Sequence, residues 1–372
     1  MNSIAIRACT LAALAGLWCA VPAPAAPAPA APAEQYYGPD DFSRVDKIDA
    51  HVHVHGPATR FMAQARADQM RILTINVDYG DFPPLVDQQA GAIELRRNNP
   101  GRAAFVASFP AGELLAEDWP ARVLHELDAA VAAGAVGVKV WKNIGMELRD
   151  ADGHYVMPDD ARLEPLVAYV ERTGLVLLGH QAEPLNCWLP MAQMTVHSDR
   201  EYFTEHPQYY MHDHPEMPGH DQILAARDRM LVRHPHLKFD ALHLASLEWD
   251  VDRLAAFLDH FPNASADLAA RLVHLEYQAA RDPARVRAFL IRYQDRLLYA
   301  SDDSYGPADG DDAALAAVHA GWLADWRFLA TDLPMATTEF PQPFHGLHLP
   351  RSVIDKLYRD NAKRLFPGAW GS

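Results

Sequence analysis

Short apolar or β-branched runs alternate along the chain with longer segments whose apolar residues recur at helical spacing. The runs predict eight strands: Lys47 to Val54, Ile72 to Asp78, Ala103 to Ser108, Gly137 to Trp141, Leu175 to Gln181, Lys238 to Leu244, Ala264 to Ala269 and Arg296 to Asp302. Helical patterns are clearest over Trp119 to Ala133, which closes on Gly134, and over Asp160 to Thr173, which closes on Gly174. Three more cover Gln222 to Arg233, Trp249 to His260 and Asp282 to Tyr293. No sequence repeat accompanies this alternation, so it implies βα units around a parallel sheet.

Eight such units suit an α/β fold of the (β/α)8 TIM-barrel type, which takes ~250 residues. The surplus falls in two places. Ala182 to His220 reads as an inserted, lid-like loop after the fifth strand, and the chain beyond Gly321 as a C-terminal helical extension. An open doubly wound sheet is the alternative, but no glycine-rich phosphate loop follows the first strand to support it.

The N-terminal residues do not fit this pattern. Arg7 precedes an apolar stretch from Ala8 to Val21, and Ala23-Pro24-Ala25 supplies small residues for cleavage. Residues 1–25 therefore read as a secretory signal peptide, with an apolar run shorter than the ~20 residues a spanning helix needs. Lipidation at Cys19 is disfavoured by the bulk of Trp18 before it. Residues 26–35, alternating Pro and Ala, read as an extended leader, and 36–372 as one domain. The expectation is an exported protein, periplasmic or secreted, without a stable membrane anchor. Cleavage would leave Cys187 as the one remaining cysteine and rule out an intramolecular disulfide.

The chain has 372 residues, 49% hydrophobic, with 33 Lys plus Arg against 49 Asp plus Glu and a formal net charge of −16. That composition supports a large folded core, and the absence of any basic cluster disfavours nucleic acid and anionic lipid as partners. A small-molecule substrate fits better. Oligomeric state is open, with a homo-oligomer compatible.

Candidate chemistry gathers where the predicted strands end. The first strand carries Asp49, His51 and His53, whose alternation projects them on one face, and two imidazoles there make half a metal site. His180 closes LVLLGHQ, His243 closes KFDALHL and Asp302 closes LLYASD. Buried apolar strands that repeatedly finish in His or Asp need those groups paired or metal-bound, because unpaired polar burial is costly. In a barrel all four termini share one rim, which points to a divalent-metal site.

These residues carry a resemblance. From IDAHVHV through GVKVW, LLGH, LKFDALHLAS and LLYASDD to DNAKRLFPG, with Asn361, Ala362 and Phe366 near the end, the chain resembles the amidohydrolase superfamily in its amidohydrolase-related (type 2) branch. The resemblance implies His51, His53, His180 and Asp302 as ligands of one ion, expected to be Zn2+, with Mn2+ or Fe2+ as alternatives. It also implies that Asp302 takes a proton from water and delivers it to the leaving group. His243 matches the sixth-strand histidine that transfers a proton or polarises the substrate; we expect it to stabilise a developing oxyanion. Asp303 competes for the base role but reads better as a supporting ion-pair partner.

Lys139 is ambiguous. Several relatives carry a fourth-strand lysine whose carbamate bridges two metals, and His180 with His243 could then hold the second ion. The single-metal reading is preferred here, with Lys139 paired to an acid or binding a substrate carboxylate. Lys142, Trp141 and Trp188 are further candidates for substrate contact. The insertion holds His197, His206, His212, His214 and His220. His212 and His214 form a second His-x-His, read as solvent-facing or substrate-contacting because no regular strand carries them.

The expected function is a metal-dependent hydrolase acting on an amide, cyclic amide, lactone or ester. A metal-dependent decarboxylase of an aromatic or unsaturated acid is the alternative within the same branch. A metal-holding protein that binds a small ligand without turnover is the alternative outside enzymes.

Overall fold

Eight passages of the chain lie side by side as parallel strands: β1 (Lys47–Val54), β2 (Met70–Ile75), β3 (Ala103–Ala107), β4 (Ala135–Val140), β5 (Val176–Gly179), β6 (Lys238–Ala241), β7 (Ala264–Asp267), and an eighth split into β8 (Leu297–Leu298) and β9 (Asp303–Tyr305). The computed structural model describes residues 34–56, 58–306 and 312–371. The expected signal peptide and most of the Ala/Pro-rich leader lie outside the described residues. A compact unit begins at Gln35. Among the described residues no helix is long and apolar enough to cross a membrane.

The split passage closes the sheet. β8 pairs with β7, while β9 pairs with β1. Between them Ala50 N donates to Tyr299 O at 3.1 Å and Asp302 N donates to His51 O at 2.8 Å. One segment thus touches both neighbours, and the result is the expected (β/α)8 barrel.

Four of the five predicted helices form within two residues of their expected ends, and the fifth, expected from Asp160, begins as a 3-10 turn at Ala161–Leu163 before Glu164–Thr173. Trp119–Ala132 is followed by Gly134 at φ 103°, and Glu164–Thr173 ends on Gly174 at φ 71°, where only glycine avoids the left-handed penalty. Asp282 caps Pro283–Arg292 by accepting from Arg285 N. Inside the barrel pack Ile48, Ala50, Leu73, Ala104, Val106, Leu178 and Leu298, joined by Phe366 and Trp370 from the chain's end. Val52, Phe105, Val138 and Leu177 face the outer helices. Strands buried on both faces explain why they read as continuous apolar runs.

The first strand departs from simple alternation. Its register with β2 shifts between Asp49 and Val52, a bulge that re-aims the side chains after it. Asp49 points outward, accepting from Ser301 N at 3.0 Å and from Trp322 Nε1 at 2.9 Å, so it does not share a face with His51 and His53 as expected. The segment after β5 forms 3-10 turns at Leu185–Trp188, Met191–Gln193, Pro207–Tyr209 and Met211–Asp213 around one helix, His197–Glu205. It packs a small apolar cluster of its own that includes Cys187, Phe203, Tyr209 and Met211. After β9 the helix Asp312–Ala330 lies against β1 through Trp322, and the chain finishes in the short helices Arg351–Asp355 and Asn361–Leu365.

Candidate metal centre

The two β1 histidines are held by different neighbours to the same effect. His51 Nδ1 lies 2.7 Å from Asp267 Oδ2, and His53 Nδ1 lies 2.8 Å from the carbonyl oxygen of Ile75. A carbonyl can only accept, so His53 carries a proton on Nδ1 and turns Nε2 toward the site. Asp267 Oδ2 stands at the corresponding nitrogen of His51. Both Nε2 atoms then face Asp302 Oδ1, at 3.1 and 3.2 Å.

That meeting gathers three groups able to ligate a metal. Asp302 Oδ1 is buried and makes no hydrogen bond. Burial works to raise the Asp302 carboxyl, but the imidazoles of His51, His243 and His53 outweigh it and hold the group well below the usual carboxylate range. Burial, then the charge of Lys139, pushes His51 well below an ordinary histidine. The three residues thus bring two imidazole nitrogens and one ionised carboxylate together, with ligand atoms mutually within 4.8 Å. This donor set suits a divalent cation.

His243 follows β6 on an unusual piece of backbone. His243, Leu244, Ala245 and Ser246 have φ of 57, 56, 60 and 52°, a left-handed turn built without glycine. Each such residue costs ~1–2 kcal/mol, so the turn persists only because its surroundings fix it. Asp267 Oδ1 accepts from His243 N at 2.5 Å, and Ser246 Oγ donates to the carbonyls of Gln181 and Ala182. Arg227 donates to Ala245 O, and His220 Nε2 to Ser246 O. The His243 ring donates from Nδ1 to Ala269 O at 3.0 Å, leaving Nε2 as an acceptor. Burial and the neighbouring His180 hold its pKa well below the ordinary value. A neutral ring in this tautomer presents an acceptor at Nε2; proton transfer, one of the two expected roles, uses that nitrogen as it stands, whereas oxyanion stabilisation needs it protonated.

His180 stands beside rather than within the ligand-atom cluster. Its ring centre is 4.1 Å from that of His243, its Nε2 is buried without a hydrogen-bond partner, and Glu183 Oε2 is 3.8 Å away. Burial lowers its pKa to about 3, against the pull of Glu183. Its place depends on Gly179, where an added Cβ would lie 2.5 Å from the Phe239 ring. Lys139 Nζ is 3.3 Å from His51 Nε2, and burial brings its pKa down to about 8.

Above these groups opens a cavity of about 530 Å³, walled by Tyr79, Phe82, Trp141, Tyr202 and Arg271 and floored by His53, Lys139, His180, His243 and Asp302. Lys142 lines it, 4.1 Å from the Tyr209 ring centre, donating to Glu183 and to Tyr202 Oη. Asp303, on β9, is pushed up to about 6 by burial and then by Asp302.

Other expected contacts are elsewhere. Trp188 is not in the cavity wall; its Nε1 donates to Pro218 O and its ring meets His220 edge-on. His212 lies within the Met211–Asp213 turn and His214 follows it, and they spend ring nitrogens on the carbonyls of Trp188 and Pro207, away from the cavity. The short turn points them outward, where a strand would have aimed both at one side.

Sequence reasoning missed Asp267, Arg271 and Glu183. Asp267 gave the signal used for the histidines, a charged residue ending an apolar strand, ASADLA, but it stands inside that run rather than at its edge. Glu183 and Arg271 gave none, since each lies in a loop and matters through the other: Arg271 Nη2 is 3.4 Å from Glu183 Oε2.

The chain matches the family model described as Amidohydrolase over residues 48–368. No curated protein matches it. Among solved structures it is similar to an uncharacterised TIM-barrel protein from Bordetella bronchiseptica (15% identity, covering 87% of this chain and 99% of that one, TM-score 0.49). It is similar also to 2,6-dihydroxybenzoate decarboxylase from Rhizobium (16%, 86% and 98%, TM-score 0.49). A third is 4-oxalomesaconate hydratase from Rhodopseudomonas palustris (13%, 83% and 79%, TM-score 0.43). With the family model spanning the barrel from β1 to the last helix, the chain belongs to the amidohydrolase family and is an enzyme of that family.

Proposed function

We propose that the protein is a metal-dependent hydrolase that opens an amide, cyclic amide, lactone or ester bond in a small molecule. The observation that carries this reading is the meeting of His51 Nε2 and His53 Nε2 with the ionised, unpartnered Oδ1 of Asp302. Imidazole and carboxylate ligand atoms gathered within 4.8 Å suit a divalent cation, and the residues fit one. His51, His53 and Asp302 would hold it, with the unpartnered His180 Nε2 as the fourth donor. A divalent ion, read here as one Zn2+, supplies Lewis acidity that polarises a carbonyl and eases deprotonation of water at neutral pH.

The chain's own groups do the rest. Asp302, ionised and one-quarter exposed, accepts a proton from water through its free carboxylate edge and returns it to the leaving group. His243, neutral with its lone pair at Nε2, accepts and relays a proton beside it. Trp141, Tyr79 and Tyr202 give the substrate flat apolar walls, and Lys142 with Arg271 supplies positive charge that Glu183 offsets in part. Export is part of this reading and rests on the leader-like residues 1–25.

The test joins metal analysis to isotope incorporation. The purified protein should carry about one equivalent of zinc, manganese or iron. A panel of lactones, cyclic amides and esters in 18O-water should yield a product with one added oxygen label. Carbon dioxide released from hydroxybenzoates without label would replace hydrolysis with decarboxylation, and bound metal with no product from any compound would leave a binding protein. Deleting residues 1–25 should keep the protein in the cytoplasm.

A further inference from the structure

Asp267 does two things at once, and neither belongs to the groups assigned so far. One carboxylate oxygen lies 2.7 Å from His51 Nδ1, and the other accepts the backbone N–H of His243 at 2.5 Å. Both oxygens are fully buried, at the end of β7 and between β6 and β8. The left-handed turn that carries His243 is thus tied at its first residue to the group that orients a candidate metal ligand. Its other end is tied elsewhere, through Ser246 Oγ to the carbonyls of Gln181 and Ala182 after β5.

We propose that Asp267 is the positioning residue of this site, fixing the His51 tautomer so that Nε2 is free for a cation while holding the His243 turn in register with it. This rests on the single-metal reading of the site. The physical reason is specific to a carboxylate. Two donors converge on it from different strands, and only a group offering two acceptor atoms satisfies both. Asparagine has the same shape but one acceptor, so its amide N–H2 must face either His51 Nδ1 or His243 N. In the first case His51 is driven to carry its proton on Nε2, and the lone pair facing Asp302 is lost. In the second, two donors oppose each other at the turn.

The experiment compares wild type, Asp267→Asn and Ser246→Ala, measuring Zn2+ affinity by chelator competition and the visible spectrum of the Co2+-loaded proteins, with circular dichroism as the check on folding. Asp267→Asn should bind zinc ~10–100-fold more weakly, the range for losing an outer partner of a ligating histidine, and should shift the cobalt bands. Ser246→Ala loosens the same turn without touching His51, and should leave zinc affinity within about twofold of wild type, below that range. Equal losses in both variants would make Asp267 merely structural and overturn the proposal, as would unchanged affinity and spectrum in Asp267→Asn. A wild-type protein that takes up no metal overturns the proposal together with the single-metal reading. Should Asp267→Asn fail to fold, 15N-histidine NMR of metal-free wild type decides: a His51 Nδ1–H tautomer supports the proposal and an Nε2–H tautomer overturns it.

Discussion

The chain contains His-x-His twice, and the two copies end differently. At His51 and His53 the motif lies in β1, where both rings are buried, the Nδ1 atoms are pinned by Asp267 at the end of β7 and by Ile75 of β2, and both Nε2 atoms converge on Asp302. At His212 and His214 the motif runs through the end of a 3-10 turn, with one ring exposed and the other half-buried, each bonded to a separate local carbonyl. Spacing is the same in both. The scaffold differs: a strand projects residues i and i+2 together, and the barrel supplies second partners that choose the tautomer. A ligand pair is made by its outer contacts as much as by its sequence.

The comparison breaks first at the residue on which the β1 pair converges. Asp302→Asn should lower turnover by about 10³-fold or more, since it removes the proton acceptor and the anionic ligand together. Steady-state kinetics beside circular dichroism checks this; near-normal turnover with an intact fold would separate Asp302 from the chemistry. The next largest effect separates the two motifs. His51→Ala or His53→Ala should weaken zinc binding by at least ~100-fold, beyond what loss of an outer partner gives, while the His212→Ala, His214→Ala double variant should leave it unchanged. Similar losses in both would erase the distinction between the two motifs.

A smaller effect appears with pH. Burial lowers the His180 pKa from 6.5 to about 3, so between those values the unfolded chain binds a proton that the folded chain does not. The contribution of His180 to stability is therefore complete above pH 6.5 and is lost progressively as pH falls toward 3. NMR of the metal-free protein should show the His180 ring neutral at pH 5; a protonated ring at that pH would contradict its enclosed, unpartnered environment. The smallest effect is on stability: replacing exposed His212 should change it by less than ~0.5 kcal/mol in denaturant titrations.

Much of the barrel was legible because its strands, buried on both faces, stand out as apolar runs, and because Gly134 and Gly174 mark helix ends. The gathering of His53, His180, His243 and Asp302 around one cavity, with His51 buried against Asp302, was legible for a related reason: polar residues ending apolar strands share one rim of a barrel. Illegible were features set by partners distant in sequence. Alternation misplaced Asp49 because the bulge in β1 depends on pairing with β2 and on Trp322, more than 270 positions away. The left-handed turn at His243 carries no glycine to announce it and exists through contacts with Asp267, Gln181, Ala182 and Arg227. The same dependence hid the proton position on His243, which Ala269 sets from the next strand's end.

The most direct test is anomalous diffraction at the zinc edge from crystals of the zinc-loaded protein. A single strong peak within bonding distance of His51 Nε2, His53 Nε2 and Asp302 Oδ1, at ~2.0–2.2 Å, is the expected result. A peak only at the surface group Asp150, Asp152 and His154, or none with zinc in excess, would contradict the assignment of this rim as the metal centre.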